Sequence, residues 1–257
     1  MELIEDPLFY AVAIPAVMIA GISKGGFGGG LGIVAVPTMA LVIGPIEAAA
    51  IMLPILCAMD VFGLIAYRRT ADWTNLARLL PGAIAGIVVG ALTFRLFDAD
   101  AVRLTIGLIA VLFTLQHWTG FGPRRADGAP PRPSWLKGSG FGGVAGFTSF
   151  VAHAGGPPVQ FYMLPQRIDK TLYVGTTVWF FFAVNAAKLV PYSMLGLFSA
   201  ENLGTSLALA PLAPLGIWAG VRLHRLVSQQ VFYRIAYGLL FLTGLKLCWD
   251  GAAALVG

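Results

Sequence analysis

Three ionisable residues, Lys24, Asp60 and Lys188, fall inside segments otherwise apolar enough to lie in lipid. A charge there is costly, so it is kept to pair with another charge, to carry an ion or proton, or to hold a ligand. Lys24 belongs to the stretch GISKGGFGGGLGIVAVP, residues 21–37. In it Gly25, Gly26, Gly28, Gly29 and Gly30 permit positive φ and let bare backbone N–H groups approach a ligand. N–H groups at the start of a new half-helix favour an anion. A second break, AHAGGPP, holds His153, Gly155 and Gly156. Lys24, His153 and the two glycine bends are therefore expected to surround an anion near the membrane midplane, although a histidine satisfied within the core would look the same. Asp60 either pairs with a lysine or carries a proton. Asn185 and Lys188 share one helical face, three residues apart, and are expected to join the same site.

Other chemistry has weaker footing. GISKG matches G-x-S-x-G and would make Ser23 the nucleophile of an intramembrane serine hydrolase, but no strand precedes it. Cys57 and Cys248 stand in apolar runs without His or Cys at ligand spacing, and no P-loop or zinc motif occurs. Neither a metal, nor a cofactor, nor a catalytic residue is expected. Lys246 lies near the outer end of the last apolar segment, where it can snorkel to the interface. His117 and His224 fall at segment edges and need no special role.

The surrounding elements are those of a membrane protein. Of 257 residues 58% are hydrophobic and 11% charged, and the mean hydropathy is +0.81. Apolar runs cover 8–22, 31–43, 46–66, 79–94, 103–117, 138–152, 157–165, 172–193, 204–222 and 231–249. MELIED lacks the basic start of a signal peptide, so the first run is expected to be retained. The runs 8–22 and 31–43 are each shorter than the roughly 20 residues of a span, which predicts a hairpin of half-helices bent at 23–30 and buried within the protein. The same reasoning covers 138–165.

The two halves resemble each other. MDVFGLIAYRR from Met59 aligns with VNAAKLVPYSM from Val184, matching Asp60 to Asn185 and Tyr67 to Tyr192, and Gly29–Gly30 answers Gly155–Gly156. The expected fold is an all-α polytopic membrane protein of two inverted repeats, each a re-entrant half-helix hairpin plus three full transmembrane helices. The repeats are 1–117 and 138–257, joined by a Pro-, Gly- and Arg-rich cytoplasmic linker, 118–137. Segments 67–78, 118–137, 166–171 and 222–234 carry Arg68, Arg69, Arg78, Arg124, Arg125, Arg132, Lys137, Arg167, Lys170, Arg222, Arg225 and Arg234, 12 of the 17 basic residues. The opposite side receives only Arg95 and Arg103 against Glu2, Glu5, Asp6, Glu47, Asp98, Asp100, Glu201 and Asp250. That asymmetry places the basic segments in the cytoplasm and both termini outside it. Basic residues scattered in this way do not form a nucleic-acid surface. Gly82, Gly86 and Gly90, like Gly216 and Gly220, recur every fourth residue as helix-packing faces.

KGGFGGGLGIVAVP, AAAIMLPILCAMDVFGLIAYRR, GFTSFVAHAGGPPVQFYMLPQRIDK and VGTTVWFFFAVNAAKLVPY resemble the TauE/SafE family of membrane transporters. The resemblance covers nearly the whole chain and implies an inverted-repeat carrier of sulfite or small organosulfonate anions in the cell inner membrane. Its motifs carry Lys24 with the first glycines, and His153, Gly155 and Gly156; AHAGGPP departs from the longer glycine run of many members. The expected function is secondary active transport, as an exporter, by alternating access with possible proton coupling at Asp60. The expected partners are a small anionic sulfur-containing substrate and the lipid bilayer. An anion channel or the Ser23 hydrolase are the alternatives.

Overall fold

A computed structural model describes residues 3–29, 32–94, 99–119, 131–226 and 229–256. Arg124, Arg125 and Asp127 of the linker, together with Glu2, Gly30, Arg95 and Asp98, lie outside the described residues, as do the side chains of His117, His224, Arg225 and Arg234. The described residues are helical, without strands: α1 Pro7–Gly26, a 3-10 turn Gly32–Val34, α2 Ala35–Met39, α3 Pro45–Tyr67, α4 Trp73–Phe94, α5 Ala99–Thr119, α6 Trp135–Ala152, α7 Gly156–Met163, α8 Lys170–Met194, α9 Ala200–Leu209, α10 Leu212–Leu226 and α11 Gln229–Val256. Four of them, α1, α3, α4 and α8, are long and apolar enough to cross a membrane, and the α9–α10 pair makes a fifth. The chain is a multi-pass membrane protein. Helices α5 and α11 pack against each other, Gly107 on Cys248 and Gly251 on Leu104.

Two differences from expectation have local causes. Helix α1 is not a half-helix: it runs for 20 residues through Gly25 and Gly26. Those glycines do not end it because they are where α10 docks. A Cβ on Gly25 would lie 2.5 Å from the Ile217 carbonyl oxygen, and one on Gly26 2.2 Å from that of Gly220. Only the return arm, 32–39, is short. The expected single span 204–222 is instead broken into α9 and α10 at an angle of 40°. Pro211 sits at that break, where it lacks an N–H and crowds the carbonyl one turn back.

Helices of the two halves pack across one another. Gly21 meets Gly216 as α1 crosses α10, while Gly82 meets Ser139 and Gly86 meets Gly143 as α4 crosses α6. Small residues allow this backbone approach where lipid supplies no hydrophobic drive. The same hydrogen bonds recur in both halves. The Tyr67 hydroxyl donates to the Gly25 carbonyl at 2.8 Å, and Tyr192 to Phe150 at 2.7 Å, each partner 125 residues later. Gly29 N–H closes α1 on Ser23 at 3.0 Å, and Ala154 N–H closes α6 on Thr148 at 3.1 Å, again 125 residues apart. This register places the bend of Gly28, φ +75, opposite His153, φ +51, and differs by one residue from the glycine-pair alignment.

Of the basic segments, 67–78, the described end of the linker and 166–171 gather at one end. Asp72 N–H bonds Thr176 Oγ1, Asn75 and Gln166 exchange amide hydrogen bonds, and Ser139 Oγ bonds the Arg78 carbonyl. At the far end Ile4 N–H bonds Thr205 Oγ1.

Candidate functional site

Lys24, on the last turn of α1, points at α3. Its Nζ lies 2.6 Å from Asp60 Oδ1 and 3.4 Å from the Leu56 carbonyl oxygen. Asn185, on α8, donates from Nδ2 to Asp60 Oδ2 at 2.7 Å. Both carboxylate oxygens are thus engaged by donors from two other helices. Lys24 is 4% exposed and Asp60 fully buried. The partner of Lys24 in this structure is Asp60, the pairing with a lysine that the sequence allowed for that carboxylate.

One turn beyond Asn185, Lys188 points instead at α6. Its Nζ contacts the Ser149 carbonyl and Oγ, both at 3.0 Å, and His153 Nδ1 at 2.6 Å. All three N–H bonds of the ammonium end on neutral acceptors. The far nitrogen of His153, Nε2, is 2.9 Å from the Ala49 carbonyl oxygen on α3. A carbonyl only accepts, so Nε2 carries the hydrogen and Nδ1 presents its lone pair to Lys188. His153 caps α6 in the left-handed region. That conformation costs a non-glycine residue roughly 1–2 kcal/mol. At the equivalent position of α1 the chain uses Gly28.

Among the described residues Lys24 and Lys188 are the buried ammonium groups and Asp60 is the buried carboxylate. With Lys188 protonated, two cations and one anion leave an excess positive charge in a region screened from water. Nothing else in the cluster supplies a counter-charge: Asn185 and Ser149 are neutral, and Phe181 offers Lys24 only a ring face at 5.9 Å. Among the described residues no three His, Cys, Asp or Glu side chains converge as a metal would require.

The glycines divide by role. Gly25 and Gly26 pack on α10 as above. A Cβ on Gly28 would lie 2.4 Å from the Tyr173 ring, and Cβ atoms on Gly29 and Gly155 would sit 3.3 and 3.1 Å from opposite edges of the Phe181 ring. Phe181 therefore wedges between the two bends, and close packing accounts for these absent side chains. Gly156 starts α7, but Pro157 and Pro158 follow and remove two of the N–H groups an anion would use. In the first half the helical return starts as a 3-10 turn at Gly32, beyond the glycine tract. The charge of the cluster, more than helix N-termini, is what an anion would meet.

Ser149 and Ala49 contact the cluster without any signal in the sequence, and Phe181, one of three phenylalanines expected as core or lipid-facing packing, lies against Lys24. Ser23 lies inside α1, not on a strand-to-helix elbow, and is fully buried. Lys246 pairs with Asp250 at 2.6 Å, one turn away and exposed. Trp179 packs tilted against Trp73, ring centroids 5.2 Å apart.

A cavity of about 280 Å³ lies at the basic end of the bundle, lined by Gly26, Phe27, Met163, Arg167, Lys170 and Tyr173. It reaches from the 166–171 segment to the turn after Lys24.

No curated protein and no solved structure matches the chain. The model of the sulfite exporter TauE/SafE family matches residues 13–247, spanning α1 to α11 and with them every residue of the buried cluster. That family comprises transporters, not enzymes. The chain, a membrane transporter, belongs to the TauE/SafE sulfite exporter family.

Proposed function

We propose that the chain exports sulfite or a small organosulfonate anion across the cell inner membrane by secondary active transport with alternating access. The observation that carries this reading is the buried excess of positive charge that arises whenever Lys188 is protonated, Lys24 and Lys188 against Asp60 alone. A net charge in a membrane core is expensive until a counter-ion meets it, and a small anion is the counter-ion such a core selects. Lys188, His153 and Asn185 face the anion, and Lys24 with Asp60 sets the field and holds α1 against α3. The bends at Gly28–Gly29 and Gly155–Gly156 place the backbone beside it.

The two repeats, 1–117 and 138–257 joined by the linker 118–137, run in opposite directions through the bilayer. Support comes from the 125-residue register of paired hydrogen bonds and from the gathering of 67–78, 134–139 and 162–176 at one end. Because α1 packs on α10 and α4 on α6, the repeats are exchanged rather than side by side, and rocking one pair against the other would alternate access. The cavity at Arg167 and Lys170 is the cytoplasmic approach, basic at its mouth.

The test is a binding screen on purified protein across sulfite, sulfoacetate, taurine, sulfolactate, sulfate and acetate. Saturable binding of sulfite or a sulfonate, with acetate and sulfate weaker by tenfold or more, is expected. Equal or absent binding of all six contradicts the reading.

A further inference from the structure

We propose that the Lys188–His153 pair carries a proton that enters with each transported anion and leaves with it. The inference rests on the transport reading above and adds its coupling ion.

Lys188 Nζ and His153 Nδ1 are two basic nitrogens 2.6 Å apart in a fully enclosed site. Two like charges at that distance cannot both exist, so the pair binds one excess proton or none. When present, the proton sits on Nζ, which donates to the Nδ1 lone pair, or on Nδ1, which donates to a neutral amine. Nε2 keeps its own hydrogen on the Ala49 carbonyl in either case. The proton thus has two adjacent seats and moves between them without breaking the outer contacts to Ser149 and Ala49.

Asp60 lacks that freedom. Lys24 holds one of its oxygens and Asn185 the other, so an added proton would displace a donor, one of them a full cation. The other groups facing the pair are also committed. Lys24 is bound to Asp60, the Tyr192 hydroxyl on α8 donates to Phe150 at 2.7 Å, and Cys57 on α3 is an uncharged thiol unless it ionises. Tyr192's ring centroid is 6.2 Å from that of His153.

Charge balance couples the two cargoes. Lys24 and Asp60 cancel. With a monoanion and a proton aboard the cluster is neutral, and with neither aboard it is neutral again. Proton alone or anion alone leaves a buried net charge, the state a membrane core resists most. The two neutral states are those able to reorient, which yields one proton per monoanion carried.

The test counts protons taken up on binding. Calorimetry of the full-length protein in detergent uses sulfoacetate, isethionate and methanesulfonate, none of which gains or loses a proton near neutral pH. Titrations in buffers of differing ionisation enthalpy give the number of protons per anion bound as a slope. The parent protein is expected to take up a proton on binding, approaching one for methanesulfonate as pH rises. His153→Asn keeps a donor, an acceptor and tolerance of the left-handed backbone, and should abolish uptake. His153→Gly, the residue used at the same position of α1, serves if the first variant misfolds. Binding without uptake in the parent, or uptake preserved in a folded His153 variant, overturns the proposal alone. No binding of any of the three anions, nor of sulfite, overturns the transport reading as well.

Discussion

Lys24 Nζ rests 2.6 Å from Asp60 Oδ1, joining the end of α1 to the middle of α3 where neither side chain reaches solvent. Removing one member strands the other as an uncompensated charge, whereas replacing both leaves a neutral hydrogen-bonded pair. Lys24→Gln alone should therefore destabilise the protein by about 3–5 kcal/mol. Adding Asp60→Asn to it should recover most of that loss. Thermal unfolding of the four proteins of this double-mutant cycle in detergent reads the coupling directly. Additive losses would mean that the two groups do not interact.

Lys188 plays the other part. Its ammonium supplies the positive charge that no carboxylate cancels, so Lys188→Met should weaken anion binding by about 1.5–3 kcal/mol, tenfold or more. Arginine should not restore it, because Ser149 O, Ser149 Oγ and His153 Nδ1 converge on a single nitrogen and a planar guanidinium cannot meet all three from one point. Titration of the folded variants with sulfite and sulfoacetate is the check. Parental affinity in Lys188→Met would remove it from the site.

These charged residues were legible in the sequence because a lysine or aspartate in an apolar run has a cost that demands a reason. Who pairs with whom was not, since Lys24 meets Asp60 only through the packing of α1 on α3. Ser149 and Phe181 carry no such signal: a serine or phenylalanine in an apolar helix is ordinary until its neighbours are known. Gly25 and Gly26 looked like a helix break because adjacent glycines are flexible. The spacing of Gly21 and Gly25, four residues apart like Gly216 and Gly220, already pointed to packing. Pro157 and Pro158 likewise announced that α7 begins with few free N–H groups.

Glycine substitutions separate packing from tolerance sharply. A Cβ on Gly82 would fall 1.9 Å from the Ser139 carbonyl oxygen, while one on Gly140 meets nothing within 4 Å. Gly82→Ala must push α4 off α6 and should lower the yield of monodisperse protein and its melting temperature. Gly140→Ala should change neither. Gel filtration and thermal unfolding compare the two, and equal behaviour would refute the close crossing.

The orientation has its own test. Basic residues concentrated on 67–78, 131–137 and 166–171, segments the fold gathers at one end, predict that both termini lie on the non-cytoplasmic side. A periplasm-active enzyme fused to the C-terminus should report activity, and a cytoplasm-active fluorescent fusion should stay dark. The reverse result would invert the topology.

The central claim is that this buried, positively charged cluster serves a carrier for small sulfur-containing anions. Counterflow in proteoliposomes measures it most directly. Vesicles loaded with unlabelled sulfoacetate or sulfite are diluted into a trace of the labelled anion, so that a carrier concentrates label transiently without any imposed gradient of voltage or pH. The account predicts a saturable transient overshoot, abolished in a folded Lys188→Met variant. Label that equilibrates without overshoot or saturation, or that never enters above protein-free vesicles for either anion, would contradict it.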